Sequence, residues 1–444
     1  MYREEDIEQI KLNIDFIKEQ AMIKYKTENE PTFEESTNVY NALLEFIKKK
    51  KRIIYGGYAQ NLLIKTKNHV DAFYKETDTP DIEFYSFEPI KDSIELCDYL
   101  YEKKFKYIQA SEGVHPGTYK IFINFINYCD ISYLSKNIYD HCPIISINGL
   151  SLSHPHFMII DSYRVFTDPM TSYWRLDKVF NRYLKLIKYY PFEKQQNKMP
   201  HIINNDLKKI RKLIIHNSKY IVIGFYAFNY YIRKIKSNYI NVPFYELISI
   251  DFENDAINIY KKLKKIYKNT ITTKEFTPFY EFFDRRIEYY HNDNLILKLY
   301  GNNSRCIVYR YSEKKKTYFG TNQIIFLYLL SNYYYHIINN NKLSYIYYYM
   351  LYNLQQSKNK YLNDNNKKVL DTTPFEDFTY KCIGMPVDTI RKSMLEIDNK
   401  KKKGLKLKFR YEPKGTSGTL PDYKFENNSG NQILNEKYLV LKNN

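Results

Sequence analysis

The 444-residue chain is predicted to be a mixed α/β (α+β) protein in which one module is written twice, behind a helical N-terminal region and ahead of a C-terminal tail. Three observations predict this. The run Ile54-Tyr55-Gly56-Gly57-Tyr58-Ala59-Gln60-Asn61 returns as Val222-Ile223-Gly224-Phe225-Tyr226-Ala227-Phe228-Asn229. The run Thr79-Pro80-Asp81-Ile82-Glu83-Phe84 returns as Val242-Pro243-Phe244-Tyr245-Glu246-Leu247. Cys129-Asp130-Ile131 is read against Cys306-Ile307-Val308. The offsets between Gly56 and Gly224, Pro80 and Pro243, and Cys129 and Cys306 fit one duplicated unit of domain length. Three carboxylates stand in the first copy, whereas Phe244 and Ile307 hold two of the three positions in the second. One active and one retired module is the expectation.

The elements follow in order. Residues 1–50 read as two amphipathic helices, with Ile7, Ile10, Ile14 and Ile17 on one stripe and Leu43, Leu44 and Ile47 on another. Residues 51–192 form the active module. Its basic run Lys48 to Arg52 leads into strand Ile53-Ile54-Tyr55, a Gly56-Gly57 turn and a helix from Tyr58 to Ile64. Strand Ile82 to Phe87, helix Ile90 to Leu100, strand Tyr119 to Tyr133 and helix Tyr173 to Lys188 complete it. Glu193 to Pro200 reads as a linker. The retired module, residues 200–360, repeats the order: helix Asp206 to Ile215, strand Tyr220 to Ile223, helix from Tyr226, strand Glu246 to Ile250, helix Ala256 to Ile266. An aromatic, buried helix pair covers Gln323 to Leu354. Residues 361–444 turn polar, with Lys400 to Lys403 and a Gly/Ser/Pro-rich stretch after Glu412 expected as an exposed tail.

Apolar residues make up 44% of the chain, which excludes wholesale disorder. Lys and Arg outnumber Asp and Glu by 68 to 50, giving +18 and favouring a polyanionic partner. The 48 tyrosines are equally explained by an AT-rich genome. Five scattered cysteines without a C-x-x-C pair indicate neither a zinc ribbon nor a disulfide framework, and a reducing compartment. No apolar stretch is long enough to span a bilayer. A soluble intracellular protein is expected.

Asp81 and Glu83, two apart in a strand, leave the same face. Two acids fixed so close repel each other unless a divalent cation binds between them, and Mg²⁺ takes such oxygen ligands while keeping places for substrate phosphates. Asp130, in a second strand, brings the third carboxylate. The trio is the ligand set of two-metal phosphoryl or nucleotidyl transfer. Gly56-Gly57 is read either as a plain turn or as a place where backbone N–H groups approach a triphosphate. Lys178, Arg182 and Lys185 share a helix face, either as a triphosphate clamp or as a solvated basic surface. Trp174 either stacks on a base or packs in the core. His115, His141, His154 and His156 lack zinc-ligand spacing and are read as structural.

These residues resemble the nucleotidyltransferase superfamily that includes DNA polymerase β and the poly(A) polymerases, with its glycine turn, D-x-[DE] and later third acid. The paired modules behind a helical region look most like the catalytic poly(A) polymerases of large DNA viruses, the poxvirus-like group. Gly57 stands where Ser is commoner, and the gap from Gly57 to Asp81 is long for the pattern. The resemblance implies a polymerase-β-like nucleotidyltransferase domain followed by a degenerate copy, and template-independent addition of AMP from ATP to RNA 3′ ends. It further implies that Asp81 and Glu83 hold two Mg²⁺ or Mn²⁺ ions and that Asp130 holds the one at the primer 3′-hydroxyl. A viral protein would act in host cytoplasm or virion. A non-catalytic RNA-binding or assembly subunit, or a nucleotidyltransferase with another acceptor, are the alternatives. A homodimer is expected, because tyrosines at 333–335 and 347–349 cannot all face one core.

Overall fold

The computed structural model describes residues 2–413 apart from 30, 76–77, 116, 195–206, 217, 234–238, 303–304, 386–388 and 405–408. Most of the expected linker at Glu193 to Pro200, the first residue of the helix expected at Asp206, and the Gly/Ser/Pro-rich stretch from 414 onward lie outside the described residues. The chain divides into two compact units. One takes Met1–Tyr133, Ile144–Ser153 and the C-terminal segment from Ser393; the other takes Leu134–Pro143 and His154–Lys392. Helices Pro155–Phe166 and Leu176–Tyr189, expected with the first module, thus cluster with the second unit.

In the first unit, helix Phe33–Lys50 carries a capping box in which Thr32 and Glu35 satisfy each other's backbone N–H groups. Strands β1 (Ile53–Tyr55), β2 (Ile82–Ser86), β3 (Gln109–Glu112), β4 (Thr118–Ile123), β5 (Ile126–Tyr133), β6 (Ile144–Ile147) and β7 (Leu150–Ser153) follow. The second unit contributes β8 (Ile221–Ile223), β9 (Tyr245–Ser249), β10 (Ile271–Phe276), β11 (Arg286–His291), β12 (Asn294–Gly301), β13 (Ile307–Ser312), β14 (Thr317–Gly320) and β15 (Cys382–Ile383). Arg410–Tyr411, β16, returns to the edge of the first sheet beside β3. The sheet orders are β16-β3-β4-β5-β2-β1-β7-β6 and β10-β11-β12-β9-β8-β14-β13-β15. Seven strands therefore occur in the same spatial order in both sheets, with β2 matched by β9 and β5 by β12.

That topology corrects the third repeat pair. The strand parallel to β2 is β5, and the strand parallel to β9 is β12, with Glu83 beside Asp130 and Glu246 beside Lys298. Lys298, not Ile307, holds the third carboxylate position of the second copy; Ile307 begins β13, the counterpart of β6. The strand expected from Tyr119 to Tyr133 is also corrected. Asn124 and Phe125, at φ 49° and 68°, turn it into the β4–β5 hairpin. Asn148-Gly149, a two-residue hairpin turn at positive φ, likewise joins β6 and β7.

Both cores are apolar and closed. Ile54, Leu63, Ile82, Phe84, Leu96 and Ile131 are fully buried beneath the first sheet, each contributing about 1.5–3 kcal/mol by leaving water. The two copies also share polar struts. Ser86 donates to Asp92 at 2.5 Å, and Ser249 to Asp255 at 2.5 Å. Asn61 clamps the loop after helix Gly56–Lys67 by accepting from Phe73 and Tyr74, as Asn229 clamps Ile240. Arg52, the last residue of the basic run before β1, is buried in a bidentate pair with Asp92 at 2.6 and 2.8 Å.

Two further expectations are corrected in the second unit. Helices Asn322–Ile338 and Ser344–Asp364 form the expected pair, but none of the six tyrosines at 333–335 and 347–349 is exposed. Neighbouring aromatic rings cover them from several sides, so three consecutive tyrosines find cover without sharing one face. Cys306 and Cys382 are joined by a disulfide at the β13–β15 pairing, which their separation of 76 positions conceals in the sequence. Cys97, Cys129 and Cys142 are buried and outside any disulfide.

Candidate active site

The first sheet gathers the three predicted carboxylates on neighbouring strands. Ile82 and Phe84 point into the core, so Asp81 and Glu83 leave the opposite face of β2, both half-buried. Tyr40, on helix Phe33–Lys50, donates to the carbonyl of Pro80 and so fixes the entry to β2 immediately before Asp81. Burial raises the Tyr40 hydroxyl well above its usual pKa, with Tyr128 and Asp81 adding to it. Glu83 is the Cα partner of Asp130 across β2 and β5. Burial pushes the Cys129 thiol far up, and Asp130, Asp81, Cys97 and Glu83 add to that shift.

The glycine turn serves Glu83. Gly56 opens helix Gly56–Lys67 at φ +67°, and a Cβ there would lie 1.7 Å from Glu83 Oε2. The Gly57 amide, which the sequence reading aims at a phosphate, donates to Glu83 Oε2 at 2.9 Å. Gly224 repeats this against Glu246, where an added Cβ would again come within 1.7 Å of Oε2. The glycine persists in both copies because the glutamate does.

Asp130 is held by two residues that the sequence reading missed. Lys120 Nζ lies 2.9 and 2.7 Å from its two oxygens, and Asn127 donates to it at 2.9 Å. The signal was the hairpin: Asn124 marks the turn that puts Lys120 opposite Asp130. Among the described residues no three His, Cys, Asp or Glu side chains close into a metal cage. The donor set nevertheless fits a hard divalent cation, since Asp81, Glu83 and Asp130 offer oxygen ligands of the kind Mg²⁺ prefers and Lys120 pairs with Asp130.

The second sheet shows the same address rebuilt with two of the three acids replaced. Phe244 stands for Asp81, Glu246 for Glu83 and Lys298 for Asp130. The Lys298 ammonium lies 4.8 Å from the Phe244 ring centroid and 3.7 Å from Glu288, and Arg286 donates to Glu288 at 3.1 Å. Burial raises the Glu246 carboxyl, against the pull of Lys298 and of the Tyr300 and Tyr347 hydroxyls at 3.3 Å. Burial lowers Lys298 while Glu288 and Glu246 draw it back. Two carboxylates balance two cations, so nothing there calls for a metal.

The remaining candidates lie elsewhere. Lys178 and Arg182 sit one turn apart on helix Leu176–Tyr189, Lys178 exposed, Arg182 and Lys185 half-buried. Trp174 is 71% exposed, which removes the core-packing reading. His154 and His156 are structural: His154 caps helix Pro155–Phe166, and His156 contacts the Tyr190 carbonyl at 2.8 Å. His141 reaches the Asn137 carbonyl.

The family described as "Poly(A) polymerase catalytic subunit" matches residues 41–172. The family "APMV, Putative poly(A) polymerase, catalytic subunit, C-terminal" matches residues 182–443. The "Putative poly(A) polymerase catalytic subunit" of Acanthamoeba polyphaga mimivirus is 31% identical over 95% of this chain and 81% of its own. A protein of the same name from African swine fever virus (isolate Pig/Kenya/KEN-50/1950) is 33% identical over 33% of this chain and 32% of its own. The crystal structure of the Megavirus polyadenylate synthase superposes with a TM-score of 0.91 at 32% identity, covering 99% of this chain and 94% of that one. The chain, with its acid-bearing first sheet and neutralised second, belongs to the poly(A) polymerase catalytic subunit family and is an enzyme of that family.

Proposed function

We propose that this enzyme adds AMP from ATP to RNA 3′ ends without a template, using the carboxylates of the first sheet. The observation that carries the reading is the contrast at one register position: Asp130 beside Glu83 in one sheet, Lys298 beside Glu246 in the other. Asp81, Glu83 and Asp130 are the residues that would hold Mg²⁺ or Mn²⁺, which when bound supplies Lewis-acid activation of the attacking oxygen and neutralises the triphosphate. The chain's own part is orientation. Gly56 and Gly57 seat Glu83, Tyr40 anchors Pro80, and Lys120 with Asn127 fixes Asp130. The RNA 3′-oxygen attacks the α-phosphorus, its proton departs, and the bond to the β-phosphate breaks to release pyrophosphate. Lys178 and Arg182 are proposed contacts for the triphosphate charge. In a virus the transfer serves maturation of messenger RNA.

The proposed site of action is the host cytoplasm or the virion. Among the described residues no helix is long and apolar enough to cross a membrane. Two copies of the chain complete the reading. Helix Glu4–Glu28 has no buried residue and leaves Leu12 and Phe16 in solvent, an apolar surface that a second copy would cover. Extension of a labelled oligo-RNA with each of the four nucleoside triphosphates and Mg²⁺ or Mn²⁺ tests the activity, and light scattering tests the dimer.

A further inference from the structure

The second module holds a cleft that the transfer reaction does not use. Its volume is about 210 Å³, the scale of one nucleotide unit rather than of a folded partner. Four cations line it from three separate stretches of chain: Lys208 and Arg211 on the turns Leu207–Ile215, Arg233 after helix Gly224–Ile232, and Lys315 before β14. Among the described residues no carboxylate lines it, and none of the four cations makes an ion pair. Such a concentration of unneutralised charge in a concave surface is costly unless an anion shares it.

The walls are aromatic and rigid. Tyr230 stacks on Phe319 at 4.2 Å and 6°, and Tyr226 meets Tyr245 edge-on at 5.4 Å. Lys315 Nζ lies 3.1 Å from the Tyr226 hydroxyl and 4.9 Å from its ring centre. Nearby His216 is lowered by burial first and then by Arg211 and Lys315, which shows the sign of the field there. The charge is also graded. Arg211 and Lys315 are half-buried in the walls, whereas Lys208 and Arg233 stand exposed at the rim. A free nucleotide needs an enclosed cup, but a strand that enters and leaves needs cations continuing onto the surface.

We propose that this cleft is a second nucleic-acid site, which takes a phosphate of single-stranded RNA on Arg211 and Lys315 while Lys208 and Arg233 contact the flanking backbone. The retired module thereby keeps hold of the strand whose 3′ end is extended, an inference that rests on the polyadenylation reading above. It lies on the other side of β9 from the neutralised carboxylate address, since Tyr245 faces the cleft and Glu246 the glycine.

The test is equilibrium binding of fluorescein-labelled 20-nucleotide oligo(A) to the full chain, without ATP or divalent metal, over a salt series. Replacing Arg211 and Lys315 together by Gln is expected to weaken binding about tenfold and to reduce the salt slope by about 0.7, for the one phosphate they share. Arg211→Lys, which keeps the charge, should stay within about twofold of the parent. If the double variant fails to fold, the exposed substitutions Lys208→Gln and Arg233→Gln carry the same test with smaller losses. Unchanged oligo(A) affinity and slope in folded variants overturn the proposal. So does loss of ATP binding, measured by calorimetry, with oligo(A) binding intact, because the cleft would then be a free-nucleotide site. With no nucleotide or metal present, a failure of the polyadenylation reading leaves the binding result readable.

Discussion

Lys298 faces Glu288 across β12 and β11 at the register where Asp130 faces Lys120 across β5 and β4, so the second sheet keeps the first sheet's cross-strand ion pair with the charges exchanged. An ammonium over Phe244 thus supplies internally, at the second sheet's address, a positive charge that the first sheet's counterpart Asp81 cannot.

In the first sheet, Lys120 is expected to support the apo state. Lys120→Gln removes the only cation within hydrogen-bonding distance of Asp130 among the described residues and leaves three acids facing one another. Stability without metal should fall by about 1–2 kcal/mol, a few degrees in thermal midpoint, and Mn²⁺ should restore most of it. A midpoint loss that metal leaves untouched counts against a cation site at these carboxylates.

The buried counterpart should be less forgiving. Lys298→Met leaves Glu246 and Glu288 with Arg286 as their one remaining cation among the described residues in a low-dielectric interior, at a cost of about 3–5 kcal/mol in the second unit. Glu246→Gln, by contrast, replaces a carboxyl that burial already pushes toward its neutral form. Elongation by Glu246→Gln should stay close to the parent. Denaturant titrations of both variants, with elongation assayed alongside, check the pair; an inactive but folded Glu246→Gln protein sinks the idea of a silent module.

Histidine burial sets an acid limit on the second unit. Burial lowers His154 from its ordinary 6.5 to about 4, and lowers its neighbour His156 as well. Between those values the unfolded chain takes up the proton and the folded chain does not, so stability declines as pH falls from about 6.5 toward about 4 and levels off below. His154→Asn keeps a capping side chain on helix Pro155–Phe166 and should flatten that part of the curve. Thermal midpoints collected across this range decide it; a parent midpoint that rises on acidification contradicts the burial argument.

The duplication and the D-x-E strand were legible because both rest on residue types that local geometry demands: Gly56 under Glu83, Asn61 over its loop, alternation along β2. The third carboxylate, Asp130, was legible in the first copy, where it stands in a plain strand pattern. Its counterpart was not. Matching Cys129 to Cys306 followed residue identity, whereas Lys298 occupies the position through strand order, which depends on the turn at Asn292 and Asp293 rather than on similarity along the chain. The same blindness to hairpins hid Lys120. The Asn124 and Asn148-Gly149 turns were readable signals for the β4–β5 and β6–β7 hairpins, while the Cys306–Cys382 bond and the burial of the tyrosine runs are products of packing between segments far apart in sequence.

Asp81, with Glu83 and Asp130, is proposed to make this first module the working one. The most direct measurement is extension of a labelled oligo-RNA by purified parent and Asp81→Ala proteins with ATP and Mg²⁺ or Mn²⁺, thermal midpoints being compared in parallel. A ladder of added adenylates from the parent, and none from an Asp81→Ala protein that melts at the parent temperature, is the predicted result. Elongation by Asp81→Ala at a comparable rate would contradict it.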